Sequence, residues 1–133
     1  MKTLLARLFA VLLVAVIGLT SCSAGTSGKL TGDYREDTLM VISSLRNAIE
    51  LPTDDPAKAV AQANAKDLIN DFASRYRRDP AVGNLSSFTT MRTALNAIAG
   101  HYSSYPNRPL PDKLKTRLEQ EFRQVEGALK RGA

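Results

Sequence analysis

The sequence has few of the residues on which most catalytic sites depend. Among its 133 residues there are one cysteine, one histidine and no tryptophan. A lone cysteine excludes an internal disulfide and a cysteine-ligated metal site. His101 is the only imidazole that could act as the base of a nucleophilic triad, and no G-x-S-x-G motif accompanies it.

Motifs for metals and cofactors are missing as well. Residue 98, three positions before His101, is isoleucine, whereas di-iron bundles carry glutamate there in their Glu-x-x-His motif. The sequence has no C-x-x-C-H haem motif, no calcium-loop pattern and no phosphate-binding glycine loop. We therefore predict that the protein is not an enzyme and binds no cofactor or metal.

The sequence also lacks an apolar run long enough to cross a bilayer. Residues 8–19 are apolar for about a dozen positions, whereas a spanning helix needs ~20. Lys2 and Arg7 precede this run, as in a signal peptide. The run leads into Leu-Thr-Ser-Cys ending at Cys22, which is similar to the lipobox of bacterial lipoproteins. We predict cleavage of residues 1–21 and acylation of Cys22; the alternative is an ordinary secretory signal with an incidental cysteine.

Residues 22–32 are predicted to be a tether for a folded domain of residues 33–133. Its small and polar part, residues 23–29, spans roughly 15 Å on average and about 24 Å when fully extended. Removal of residues 1–21 lowers the formal charge from +5 to +3, because Lys2 and Arg7 are lost. A mildly basic chain with mixed charges does not favour nucleic acid as a partner. The membrane surface is the predicted working place of the domain.

Four segments of the domain carry apolar residues at spacings of three and four, which is typical of helices packed on one face. In chain order the stripes are Tyr34, Thr38, Val41, Leu45 and Ala48; Ala61, Ala65, Leu68, Phe72 and Tyr76; Phe88, Met91, Leu95, Ile98 and Tyr102; and Leu114, Leu118, Phe122, Val125 and Leu129. No alternating strand pattern is present. The connections are short, so we predict an all-α, antiparallel up-down four-helix bundle.

Capping residues predict where the four helices begin and end. The predicted starts are Asp33 with Glu36, Asp55 with Pro56 in the first helical position, Ser86 or Ser87 as an N-cap, and Pro111 in the first position of the last helix. Arg77 and Arg78 are predicted in the last turn of the second helix, where the helix dipole favours cations. Lys130, Arg131 and Gly132 are predicted to end the fourth helix.

The segment HYSSYPNRPLP, residues 101–111, holds the only histidine and three of the six prolines. Prolines restrict the backbone and so reduce the entropy that the loop loses on binding. Tyr105, Asn107 and Arg108 include the residue types enriched at binding hot spots. The residues leave two interpretations open, a stiff connector and a pre-arranged binding loop. For the lone His101, a structural role near the helix end is the prediction.

Arg75, Arg77 and Arg78 also leave two interpretations open. They are either the solvated end of a helix or a cluster that pairs with carboxylates of a partner, for which the planar guanidinium is suited.

Several segments together resemble the Psb27 family of photosystem II assembly lipoproteins. The similar segments are SRYRRDP (residues 74–80), SSFTTMRTALNAIAGHYSSYPNRPLP (86–111), KLKTRLEQEF (113–122), LTGDYREDT (30–38) and DLINDF (67–72). The resemblance covers roughly residues 30–131, and the lipobox is similar to that of the cyanobacterial branch.

This resemblance implies a lipid-anchored four-helix bundle on the lumenal side of the thylakoid membrane, monomeric when free and without catalytic activity. It implies transient binding to immature or damaged photosystem II, at the lumenal loop of an inner chlorophyll-binding antenna subunit. Binding is expected before the manganese cluster and the extrinsic proteins are in place. Our hypothesis for the contact residues is Arg75, Arg77, Arg78, Tyr105 and Arg108.

Two functions of other classes remain as alternatives. A lipid-anchored carrier of a small apolar molecule would need space inside the bundle, which the alanines at 57, 59, 61, 63 and 65 allow. A metal-delivery protein would need clustered ligands, which the sequence does not offer.

Overall fold

The computed structural model describes residues 30–106 and 108–133, and this part of the chain folds into four helices without a strand. The helices are α1 (Tyr34–Glu50), α2 (Lys58–Tyr76), α3 (Ser86–Ser104) and α4 (Asp112–Lys130). The all-α prediction is therefore confirmed. The predictions for residues 1–21 and for Cys22 lie outside the described residues.

Successive helices run in opposite directions because short turns connect them. α1 packs mainly on α2 and α3 mainly on α4, while the two pairs meet along α2–α3 and α1–α4. α1 and α3 are therefore diagonal to each other. The start of α1, the end of α2, the start of α3 and the end of α4 share the end of the bundle that we call the Tyr34 end. The opposite end, where Lys58 begins α2, is the Lys58 end.

The core consists mainly of the predicted stripes. Side chains that are no more than 1% exposed come from all four helices, among them Val41, Leu45, Ala65, Phe72, Met91, Ile98, Tyr102, Leu118, Phe122 and Val125. Leu114 and Ala61 are only partly buried, so the stripes are narrower at those positions than predicted. Loop residues add to the core as well, because Val82 and Leu110 are 5% and 3% exposed. They anchor the α2–α3 and α3–α4 connections.

Of the predicted helix starts, that of α1 agrees with the structure and that of α2 does not. Asp33 is the N-cap of α1, and its side chain accepts the N–H of Glu36 at 2.9 Å, as predicted. Asp55 is not the N-cap of α2, because it caps the preceding turn by accepting the N–H of Ala57 at 2.8 Å. The N-cap of α2 is Ala57.

The two later starts also differ from the prediction. Leu85, not a serine, is the N-cap of α3, because Ser87 is buried and bonds to the Tyr34 hydroxyl at 2.8 Å. Pro111 is the N-cap of α4 rather than its first residue, and Asp112 occupies the first turn.

The end of α2 lies earlier than predicted. The helix ends at Tyr76, Arg77 is the C-cap residue and Arg78 lies in the following turn. Pro80 disfavours a helical conformation for Asp79, so the helix cannot continue far. Among the described helices, none combines the length and the apolarity that crossing a bilayer requires.

A buried lysine closes the end of α1. The Lys58 side chain is 8% exposed, and burial, followed by the nearby charge of Lys115, lowers the pKa of its ammonium group. The ammonium donates to three carbonyls, those of Ala48 (3.1 Å), Ile49 (3.5 Å) and Leu51 (2.7 Å). The last carbonyls of a helix have no partner within the helix, so Lys58 both satisfies them and joins α1 to α2.

We expect Lys58→Met to lower the free energy of unfolding by about 2 kcal/mol, because buried carbonyls lose a charged donor. Urea unfolding followed by circular dichroism measures this. Lys66→Met is the matched control, because Lys66 is exposed on the same helix, and it should change stability by less than about 0.5 kcal/mol. Equal stabilities of the two variants would contradict the capping role of Lys58.

Candidate partner-binding surfaces

The structure divides the five predicted contact residues between the two ends of the bundle. Arg75, Arg77 and Arg78 lie at the Tyr34 end, and Tyr105 and Arg108 lie at the Lys58 end. All five are exposed. α3 separates the two groups, and its 19 residues correspond to a length of about 28 Å. The five residues therefore do not form one compact cluster.

The loop at the Lys58 end has a defined conformation around Tyr105. The Arg108 guanidinium lies over the Tyr105 ring, 5.5 Å from its centroid, and the His101 and Tyr105 rings are also 5.5 Å apart. The His101 ring contacts the Arg108 carbonyl through Nε2 at 3.2 Å. His101 thus holds the loop against the end of α3, while Tyr105 stays 49% exposed. Asn107 lies outside the described residues.

A buried carboxylate organises the Tyr34 end. The side chain of Asp37 is fully buried. It accepts the Tyr76 hydroxyl at 2.5 Å and the Gly32 N–H at 3.0 Å. The Arg75 guanidinium is 3.7 Å from the same carboxylate oxygen. Gly32 has a φ of +94°, a conformation that favours glycine. Arg75 therefore has a carboxylate partner within its own chain.

Sequence reasoning missed Asp37, although a signal was present. Asp37 lies three residues after Tyr34 and four before Val41, so it falls on the buried face of α1. A carboxylate at such a position predicts a buried polar partner, because an unpaired buried charge is strongly destabilising.

Aromatic rings surround this carboxylate. The rings of Tyr34 and Tyr76 meet edge to face with centroids 5.3 Å apart, and Phe72 is 5.0 Å from Tyr76. Burial raises the pKa of Tyr76 strongly, and the hydrogen bond to Asp37 raises it further. Burial also raises the pKa of Tyr34. Both hydroxyls therefore stay protonated at neutral pH, and that of Tyr76 donates to Asp37.

Charged side chains line a cleft between α1 and α4. The Arg46 guanidinium donates to both Glu119 carboxylate oxygens, at 2.9 and 3.1 Å, and pairs with Glu126. The pairing lowers the pKa of Glu119. The cleft has a volume of about 630 Å³, and its lining residues are Arg46, Ile49, Glu50, Lys115, Thr116, Glu119, Gln120 and Arg123. These internal ion pairs connect the two helix pairs.

A second, smaller cleft lies between α2 and α3. Its volume is about 230 Å³, and its lining residues are Ile69, Phe72, Ala73, Arg77, Phe88, Arg92, Leu95 and Asn96. We call it the α2–α3 groove. Arg77 is the only predicted contact residue in its lining, and Arg92 was not singled out from the sequence.

The described residues, 30–106 and 108–133, contain no group of three or more His, Cys, Asp or Glu side chains placed to hold a metal ion. Both clefts are open to the surface.

A family model described as Photosystem II Pbs27 matches residues 2–129. The photosystem II assembly factor lipoprotein Psb27 of Thermosynechococcus vestitus is 60% identical over 133 residues, which are 100% of this chain and 98% of that protein. The photosystem II lipoprotein Psb27 of Synechocystis is 54% identical over 132 residues, covering 99% and 97% of the two chains. The photosystem II repair protein PSB27-H1 of Arabidopsis thaliana is 38% identical over 101 residues, covering 75% and 58%.

Two solved structures share the fold. The solution structure of Psb27 from cyanobacterial photosystem II superposes with a TM-score of 0.75 at 53% identity, over 82% of this chain and 94% of that one. The crystal structure of PSB27 from Arabidopsis thaliana gives a TM-score of 0.73 at 38% identity, over 75% and 98%. The resemblance found in the sequence is confirmed.

We expect Tyr76→Phe to lower the free energy of unfolding by about 2–3 kcal/mol, because the buried Asp37 carboxylate loses its closest donor. Tyr105→Phe is the control, since that side chain is half exposed and should have little effect. Urea unfolding at neutral pH compares the two variants.

A pH series gives a second readout of the same interaction. The pKa of Tyr76 is higher in the folded chain than in the unfolded one, so its contribution is complete below about pH 10 and is lost as the pH rises further. The loss of stability above pH 10 should be shallower in Tyr76→Phe than in the wild type. Parallel curves would contradict the burial and pairing of this hydroxyl.

Proposed function

This chain belongs to the Psb27 family of photosystem II proteins, and from that premise we propose that it is a non-catalytic assembly and repair factor of photosystem II. The observation that carries the proposal is the 60% identity, over the whole chain, to a protein named as a photosystem II assembly factor lipoprotein. The similarity to a protein named for photosystem II repair supports the second part. In this role the domain binds photosystem II transiently and leaves the mature complex.

The proposed docking partner is the lumenal loop of an inner chlorophyll-binding antenna subunit. Binding precedes the manganese cluster and the extrinsic proteins, and the free protein is a monomer. Exposed arginines and Tyr105 supply the contacts in this proposal, since arginine and tyrosine are the residue types that dominate binding energy at interfaces. Arg77 and Arg78 precede α3 and Tyr105 and Arg108 follow it, so a partner that lies along α3 reaches both groups.

We place the domain on the lumenal side of the thylakoid membrane, held by lipid on Cys22. Two relatives of at least 54% identity are named lipoproteins, and they align over 99% or more of this chain. Two or more acyl chains give stable anchoring, so a photosystem II complex in the same membrane is always within reach.

The described residues do not support the alternative function of a carrier for a small apolar molecule. Side chains with no more than 1% exposure fill the bundle centre, and the larger cleft is lined mostly by charged and polar side chains. An apolar ligand needs a mostly apolar cavity.

A tagged wild-type chain should capture photosystem II from detergent-solubilised photosynthetic membranes, enriched in complexes that lack the manganese cluster and the extrinsic subunits. Mass spectrometry identifies the captured subunits, and an untagged chain gives the background. Capture of mature complexes alone would indicate a permanent subunit, and capture of no photosystem II subunit would refute the assembly role.

In the same assay, Arg77→Glu with Arg78→Glu tests the contacts at the Tyr34 end, and Arg108→Glu tests the contact at the Lys58 end. Arg35→Glu, on the diagonal helix α1, is the matched control.

We expect Cys22→Ser to move the protein from the membrane pellet to the soluble fraction, because the thiol that carries the lipid is absent. Intact-mass spectrometry of the membrane form of the wild type should show the added acyl mass. Ser23→Ala is the control, because it alters the neighbouring residue and preserves the thiol. A Cys22→Ser variant that stays in the pellet after a high-salt wash would rule out lipid as the anchor.

A further inference from the structure

The α2–α3 groove combines an apolar floor with two cationic side chains. Phe72 and Phe88 contribute rings that are 0% and 5% exposed, and Arg77 and Arg92 belong to the same lining. Ala73 of α2 also belongs to the lining and is only partly buried, so its short side chain lies nearer the solvent than the two rings.

The groove contains no negative charge to balance its arginines. None of its lining residues is acidic, and the whole stretch from residue 80 to residue 111 lacks aspartate and glutamate. The charged side chains of the groove lining are therefore all cationic.

Four arginines of the bundle have carboxylate partners within the chain. Arg46, Arg75, Arg117 and Arg123 each form an ion pair within the described part of the chain. In that same part, no ion pair involves Arg77 or Arg92, nor Arg35, Arg78, Arg108 or Arg131. Among these six arginines, Arg77 and Arg92 are the two that belong to the groove lining. The two guanidinium groups thus keep their full capacity to bind carboxylates from another molecule.

We propose that the α2–α3 groove is the docking site for an acidic segment of the partner protein. One apolar side chain of that segment enters the groove, and flanking carboxylates pair with Arg77 and Arg92. This inference rests on the proposed function, because it supplies the face on which photosystem II docks. The proposal adds Arg92 and the apolar lining of the groove to the contact residues. It removes Arg75 from them, because Arg75 pairs with Asp37.

The size of the groove supports a side chain rather than a free small molecule. Its volume of about 230 Å³ lies below the ~300 Å³ at which pockets for small ligands begin. In a partner segment, acidic residues next to the apolar residue supply carboxylates for the arginines, and a small apolar ligand has no such groups. The groove therefore fits a peptide segment in which acidic residues flank an apolar one.

The test measures the apparent dissociation constant of purified chain for immobilised photosystem II cores without manganese cluster and extrinsic proteins. The variants are Arg77→Glu/Arg92→Glu for the charges, Ala73→Met for the apolar floor, and Arg35→Glu as a matched charge reversal on α1. Circular dichroism confirms that each variant keeps its helical content. We expect the double reversal to weaken binding by more than about tenfold and Ala73→Met to weaken it several-fold by filling the groove.

Higher salt distinguishes the ion pairs from the apolar contact, because ions screen exposed charges. It should weaken the wild type more than Arg77→Gln/Arg92→Gln, which is neutral at both positions. If the wild type binds and the groove variants bind equally well, the groove proposal is wrong while the assembly function stands. If the wild type itself does not bind these cores, both the function and the groove proposal fail.

Discussion

The Tyr34 end of the bundle depends on the hydrogen bonds that the buried Asp37 carboxylate accepts. A buried charge without partners would destabilise the fold by several kcal/mol, so its donors have to be held in place. Tyr76 comes from the end of α2 and Gly32 from the segment before α1. The carboxylate therefore connects three parts of the chain at one point. Because Tyr34, which packs on Tyr76, also bonds to Ser87, the start of α3 is positioned through the same cluster.

Two further charged side chains, Lys58 and Arg46, also connect different helices. Lys58 closes α1 from α2, and Arg46 joins α1 to α4 through Glu119 and Glu126. Lys58 of α2 and Arg46 of α1 thus have their partners within the protein. The groove between α2 and α3 has no corresponding ion pair in its lining. The α1–α2 and α1–α4 contacts thus include charged groups with partners inside the protein, whereas the arginines of the α2–α3 groove are those that we propose to pair with a partner.

Local signals in the sequence predicted the helices well, and contacts distant in sequence explain the errors. Asp33 was predicted as a cap because its acceptor role involves a residue only three positions away. Ser87 was predicted as a cap as well, but its partner Tyr34 is 53 residues distant. The five contact residues were grouped by chemistry, and the length of α3 places them at opposite ends. Arg92 was overlooked because only the packing of α2 on α3 shows that it shares a groove with Arg77.

The bond between the Gly32 N–H and Asp37 determines where a tether would leave the folded domain. Nine residues, 23–31, separate the proposed lipid site Cys22 from Gly32, and the ten Cα–Cα steps between these two residues extend at most about 36 Å. A domain held by the proposed lipid and this tether would meet membrane partners at a high effective concentration, of the order of millimolar for short linkers. Docking at the groove can then be intrinsically weak and still give high occupancy. Weak contacts dissociate quickly, and fast dissociation is what the proposed transient binding to an assembling photosystem II requires.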